Sequence, residues 1–499
     1  MADGEVFNTR TGDNNIDGVL IGTRWNSTAL TFAFPTLSTY FNTSGSGYEI
    51  SPGVFDNSYV TGFSAANVAW QSAVTTILDG YARVSNLSYT LVSPSTQADV
   101  VFAMTNTGSV PTANGRFPSY GPNEGHQWYN IGNYDATPVL GTYTWATIMH
   151  ETGHTMGLAH GHSPDTITAI PGVVMNSDRD SMEFSVMTYR SYIGQVINGY
   201  TNETFGYAQT LMMYDIAAIQ LLYGADYTTN SGSNVYTFST TTGEMFIDGV
   251  SQGLPGANRI FRTVWDGNGV DTFNLSNYST NLHVDLTPGG WSTFSDVQLA
   301  NLGDGNFARG NVFNSLLFNN DSRSLIENVV GGTGDDTIVG NRAANNIQGG
   351  NGSDTIVGGG GGDTIIGGAG IDIIYGDSTA VAPSGIGLGT GIYNHGSVHD
   401  TIATAFNLTN TFSTANNANI VNSTTIPHTT MHYSSAAGDL AQFYAVTLTA
   451  GSTIKLDIDA TTGGLDSYIR LLAADGTTIL ALNDDGAGDV GSTGTFFLR

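Results

Sequence analysis

Residues 331–375 read GGTGDDTIV, GNRAANNIQ, GGNGSDTIV, GGGGGDTII and GGAGIDIIY, five nonapeptides in unbroken succession. The pattern G-G-x-G-x-D-x-U-x predicts a parallel β-roll, in which glycines permit tight turns and the apolar eighth residue points inward. Those residues are Ile338, Ile347, Ile356, Ile365 and Ile374. A flexible Gly/Asp-rich linker would have no reason to keep them in register. Asp336, Asp354, Asp363 and Asp372 occupy the ligand position, with Gly332, Gly334, Gly350, Gly352, Gly359, Gly361, Gly368 and Gly370 beside them. Carboxylates and nearby carbonyls in that arrangement are expected to hold several structural Ca2+ ions between turns. The second unit departs: Asn345 replaces the aspartate and most glycines are gone, which speaks against a calcium at that turn. Without calcium the clustered carboxylates repel, so this zone is expected to fold poorly.

Composition agrees with a cation-rich protein. The 499 residues are too many for one ordinary core, and 42 acidic residues against 14 basic ones leave a formal charge of −28. That balance excludes nucleic acid and anionic lipid as natural partners, because binding phosphate requires Lys and Arg. No apolar run of about 18 residues predicts a membrane span. There is no cysteine, so disulfides, thiolate zinc sites and a cysteine nucleophile are excluded. The opening MADGEVFNTR has neither a charged n-region nor an apolar h-region. No signal peptide is visible there, and residues 1–24 are expected to be a short leader or prosegment remnant.

Upstream of the repeats, residues 150–160 read HETGHTMGLAH. His150 and His154 are one helical turn apart and can grip one cation from the same face. Gly157 can take a positive φ, break the helix and let the chain return His160 as a third ligand. Three histidines leave a tetrahedral zinc with one open position, the arrangement of a catalytic site. Glu151 is placed to take a proton from a water there. Helices are predicted at 65–81, 143–156 and 207–223, and strand-like alternation at 29–34 and 98–103, which together indicate an α+β domain.

Further on, Ser185–Tyr189 reads SVMTY. H-E-x-x-H-x-x-G-x-x-H followed by such a Met-containing turn resembles the metzincins, and within them the serralysin family of RTX-type bacterial zinc metalloproteases. Trp128–Asn130 (WYN) resembles that family's substrate-edge region, Asp215–Gly224 (DIAAIQLLYG) its closing helix, and Trp265–Phe273 and Leu325–Gly334 its entry to the repeats. The resemblance implies that Met187 floors the zinc site. It also implies that Tyr189 is a ligand to the zinc and a donor to the oxyanion. A further calcium site is implied at Asp266, Asn268 and Asp271, although the facing stretch Ala225–Asn234 lacks the family's Arg.

The expected organisation is a metzincin zinc peptidase domain at 25–225, a calcium-binding β-roll at 226–377, a linker at 378–395 and a β-sandwich-like segment at 396–499. The last resembles a bacterial pre-peptidase C-terminal domain and is expected to be incomplete. The implied function is a secreted, extracellular zinc endopeptidase with one catalytic zinc. It would be monomeric, act on proteins and peptides, and be open to a proteinaceous inhibitor. The competing reading is a calcium-dependent surface or adhesion protein with a vestigial metal site; it would require neither Glu151 nor Tyr189.

Overall fold

The computed structural model describes residues 2–41, 48–51, 54–55, 57–118, 121, 123–163 and 173–376, and a set of short strands between 392 and 497. The chain divides into two units, Met1–Ala382 and Pro383–Arg499.

In the first unit, strands β1 (Ala29–Ala33), β2 (Ser88–Leu91), β3 (Val100–Thr105), β4 (Ala113–Gly115) and β5 (His126–Asn130) form a sheet ordered β2-β1-β3-β5-β4. Its ladders are parallel except that β4 runs antiparallel to β5 and a short sixth strand, Phe63–Ser64, runs antiparallel to the end of β3. β3, VVFAMT, is buried at every position, as a central parallel strand covered on both faces should be. Trp128–Asn130 therefore lies inside the sheet, and the free edge falls to β4 instead. No apolar pattern marks β4 in the sequence, because its three residues Ala113, Asn114 and Gly115 are small or polar.

Helix α1 (Val68–Val84) begins at Asn67, whose side chain accepts from Trp70 N–H, and buries Trp70, Val74, Ile77, Leu78 and Tyr81 at helical spacing. Helix α2 (Tyr143–Thr155) is capped by Thr142 and buried along nearly its whole length, because it runs through the core. Helix α3 spans Met213–Tyr223, six residues later than apolar spacing predicted. The missing turn is drawn off by other partners: Gln209 N–H donates to Phe261 O, and Thr210 Oγ1 accepts from Thr263 N–H.

Residues 13–24, expected as leader or remnant, are built into this core. Val19, Leu20 and Ile21 are buried; Ile21 N–H donates to Gly157 O, and Ala159 N–H to Val19 O. Gly4–Val6 pairs antiparallel with Thr23–Trp25.

Beyond residue 225 the strands are short and mostly parallel. β6 (Val235–Phe238), β7 (Thr272–Asn274), β9 (Asn328–Val330), β11 (Asn346–Asn351) and β13 (Thr364–Ala369) share one sheet. β8 (His283–Asp285), β10 (Thr337–Val339), β12 (Thr355–Val357) and β14 (Ile373–Tyr375) form the other. Successive nonapeptides alternate between the two sheets. Ile338 thus pairs with Ile356 and Ile356 with Ile374, while Val329 pairs with Ile347 and Ile347 with Ile365. The five isoleucines pack in one apolar cluster. The change of architecture at 225/226 is not a break in packing, because Phe261, Trp265, Leu302 and Phe313 join the core around α2.

In the second unit Thr453–Asp459 pairs antiparallel with Gly491–Phe497, and Tyr468–Leu472 with Ile479–Asp484. Ile392–His395, inside the expected linker, pairs with Thr430–Tyr433. Phe406–Asn407 pairs in parallel with Tyr444–Ala445, and the rest of the expected linker and sandwich lies outside the described residues.

Candidate metal centres

Three imidazoles converge where α2 ends. Gly157 adopts φ +99°, and a Cβ there would lie 2.3 Å from Thr23 O, so only glycine lets the chain turn at that point. His150 and His154 meet the carbonyls of Val186 and Leu158 through Nδ1, each at 2.8 Å. Those contacts fix the ring orientations and turn both Nε2 atoms inward. The Nε2 of His160 lies 3.3 Å from that of His150 and 3.1 Å from that of His154. With metal–nitrogen bonds of roughly 2.0–2.1 Å, the ligands of a tetrahedral zinc sit about 3.3 Å apart. The triad fits such an ion and leaves one position open. Burial favours neutral imidazoles: His150 is lowered to about 4 and His154 to about 3, and His160 is pushed down further by burial and by the other two rings.

Glu151 is buried beside the triad, and that burial pushes its carboxyl up to about 8. The edge strand β4 covers it: a Cβ on Gly115 would sit 2.5 Å from Glu151 O and 3.1 Å from its Oε2. Met187 is fully buried beneath α2, and a Cβ on Gly153 would fall 2.6 Å from its Sδ. Tyr189 is 37% exposed at the rim, its ring centroid 4.5 Å from that of His160 and stacked at 5.7 Å on that of His150. His162, which the motif did not single out, packs against both, at 5.3 Å from His160 and 4.7 Å from Tyr189.

Asp215 was legible only as part of a helix. Its buried carboxylate accepts from Ser185 Oγ at 2.6 Å, Val186 N–H at 2.8 Å and Met212 N–H at 2.9 Å. It thereby pins Val186, the residue whose carbonyl orients His150. An acidic residue in the first turn of α3 was the one available signal.

The implied calcium positions divide into two groups. Asp266 and Asp271 are buried together, and burial raises both carboxyls. Asp271 Oδ2 has no hydrogen-bond partner, and Asp271 N–H donates to Glu327 Oε2 at 2.7 Å. Glu327, also buried and raised to about 7, is a third carboxylate that spacing could not find, since it lies 56 residues from Asp271. Asn268 contributes N–H to Asp266 Oδ1. The facing loop lacks Arg but still lies close: a Cβ on Gly267 would be 2.4 Å from Thr229 O. Buried carboxylates with an oxygen to spare fit a hard cation.

In the repeats, Asp336 N–H donates to Asp354 Oδ1 and Asp354 N–H to Asp372 Oδ1, one column of the 18-residue register; Asn345 N–H donates to Asp363 Oδ1 in the other. Asp354 Oδ2 is buried without a partner, and burial raises this carboxyl to about 6. Turns stack so closely that a Cβ on Gly350 or Gly368 would lie 2.2 or 1.9 Å from the carbonyl 18 residues earlier. Gly352, Gly359, Gly361 and Gly370 meet the same limit, while Gly332 and Gly334 abut Tyr278 O and Thr280 O.

A family model described as peptidase M10 serralysin C terminal matches residues 225–463. Over that stretch the chain is similar to the serralysin family. Its curated relatives include metallopeptidase AprA of Pseudomonas marginalis, 33% identical over 286 residues, which are 56% of this chain and 55% of the relative. Serralysin G of Dickeya chrysanthemi is 30% identical over 283 residues, 55% of this chain and 54% of the relative. Serralysin of Proteus mirabilis is 31% identical over 284 residues, 52% and 51%. The chain thus spans about half the length of the relatives it matches. Among its described residues no helix is long and apolar enough to cross a membrane.

Proposed function

We propose that this chain is a secreted, extracellular zinc endopeptidase: a metzincin domain continued by a calcium-stabilised β-roll, hydrolysing peptide bonds in proteins. The observation that carries the reading is the convergence of the three imidazoles, with His160 Nε2 3.3 Å from that of His150 and 3.1 Å from that of His154, beside a buried glutamate. His150, His154 and His160 would hold the zinc, with Met187 as the floor beneath them. A zinc ion there supplies Lewis acidity toward a water and the scissile carbonyl. Glu151 takes the proton of the attacking water at its carboxylate and delivers it to the departing amine nitrogen; its desolvation makes it a strong enough base for this. The Tyr189 phenol donates to the carbonyl oxygen as negative charge develops on it. The carbonyls and carboxylates around Asp266, Asp271, Asp336, Asp354, Asp363 and Asp372 would hold calcium.

The test is casein hydrolysis by the purified protein with zinc and calcium supplied. Glu151→Gln is expected to lose about 10²–10⁴-fold in turnover while keeping its zinc by metal analysis. A zinc-loaded wild type that cleaves nothing, or a Glu151→Gln variant as fast as wild type, would sink the reading.

A further inference from the structure

Tyr189 rides on a loop that is closed at its base. Residues 188–201 form an excursion without helix or strand, carrying exposed Val196 and Ile197. At its base the Tyr200 hydroxyl donates to Thr188 O at 2.5 Å, and Thr201 N–H donates to Ser191 Oγ at 2.9 Å. The Thr188 carbonyl belongs to the peptide group that leads into Tyr189. Tyr200 also meets the Tyr189 ring edge-on, centroids 6.3 Å apart at 81°. Tyr200 is held in turn by Tyr143, on the first turn of α2, at 6.1 Å and by Tyr207 at 5.9 Å. One side chain thus touches both the backbone and the ring of Tyr189 and references them to the helix that carries His150 and Glu151. Thr188 is anchored on its other side, where its hydroxyl donates to buried Asp180, which also pairs with Arg190.

We propose that Tyr200 is a positioning residue for Tyr189, fixing the phenol against the histidine triad so that it meets the reacting carbonyl oxygen without a search. A tether of this kind matters because a donor aimed in advance costs no reorganisation when charge develops. The inference rests on the reading of Tyr189 given above.

The experiment compares wild type, Tyr200→Phe, Tyr189→Phe and the double variant in three measurements: kcat and KM on a peptide substrate, thermal unfolding, and absorption of the Cu(II)-loaded protein. Tyr200→Phe keeps the ring and removes only the hydroxyl. It is expected to lower kcat about three- to tenfold, the worth of one hydrogen bond, with KM within about twofold. In the double variant it is expected to add nothing to the loss from Tyr189→Phe, because it acts through that residue. A phenolate-to-copper absorption present in wild type and absent from Tyr189→Phe should be weakened or shifted in Tyr200→Phe. Additive losses in the double variant overturn the proposal. So does a Tyr200→Phe protein with wild-type kcat and absorption, whether or not its unfolding temperature falls. A Tyr189→Phe protein with undiminished turnover overturns the assignment of Tyr189 and this inference together.

Discussion

Gly157 shows how much of the site hangs on one backbone angle. Its φ of +99° is a conformation that L side chains rarely adopt, and the Thr23 carbonyl occupies the space a Cβ would need. Gly157→Ala must either strain the turn or push residues 19–23 away, and both displace His160. The expected result is a stability loss of about 1–3 kcal/mol, read by thermal unfolding, with weaker zinc retention in a chelator competition. Wild-type zinc affinity in that variant would show that the turn tolerates another path. The triad, Glu151 and Gly157 were legible because helical spacing and glycine's special angle are local properties. Asp215 and Tyr200 were not, because what they do is set by partners 29 and 12 residues away, across loops without periodicity.

At the scale of single elements, the irregular repeat is the informative one. Asn345 Nδ2 donates to Glu327 O at 2.6 Å, and Asn341 Nδ2 donates to Ile326 O at 2.8 Å and Leu286 O at 3.1 Å. Their oxygens accept from the N–H groups of Asn341 and Ala343. Two buried amides therefore saturate carbonyls that a cation would otherwise need, whereas Asp354 in the next repeat keeps a bare oxygen. Asn345→Asp removes a donor to Glu327 O and buries a carboxylate. It is expected to cost about 1–3 kcal/mol without calcium and to recover part of that loss when calcium is added, seen as a larger calcium-dependent rise in unfolding temperature. A variant equally stable with and without calcium would count against the amide substitution.

The two groups of candidate calcium positions, around Asp271 and in the repeats, predict a pH dependence of calcium affinity. Glu327 is raised to about 7 and Asp354 to about 6, so both gain protons as pH falls through that window, and calcium must displace them. Affinity is expected to be full above about pH 7.5 and to drop between pH 7 and 5.5, by up to about tenfold per pH unit for each proton displaced. Calorimetric titration at pH 7.5 and 5.5 checks this, and equal affinities at the two values would refute it. The repeat itself announced this element, since nine-residue periodicity with isoleucine in register has few other meanings. The edge position of β4 went unread because strand order is set by pairing between distant segments, which three small or polar residues do not encode.

Across the whole first unit, the strand Val312–Asn314 links two apolar clusters, Val312 packing with the isoleucines of the repeats and Phe313 with the core around α2, and this leads to a prediction about calcium removal. Phe261, Leu302, Ala308 and Phe313 lie in the same apolar cluster as Met187 and α2. Polar contacts reinforce the join. Arg309 Nε and Nη2 donate to the buried Glu183 carboxylate at 3.0 and 3.3 Å, and the guanidinium lies over the rings of Phe184 and Trp291. Glu183 is two residues before Ser185, where the Met187 turn begins. If calcium leaves, the roll loosens, and the loss should pass through Phe313 and Arg309 into that turn. With zinc kept saturating, calcium chelation is therefore expected to raise amide hydrogen exchange in α2 as well as in β10 to β14. Arg309→Ala leaves a carboxylate buried without its cation, at a cost of about 2 kcal/mol after discounting for the 30% exposure of the Arg309 side chain. That variant should lower the protection of residues 183–189 even with calcium present, and should lessen the further change that chelation brings to α2. Unchanged protection in α2 while the repeats exchange freely would mean that the shared core carries no coupling, and that calcium stabilises the roll alone.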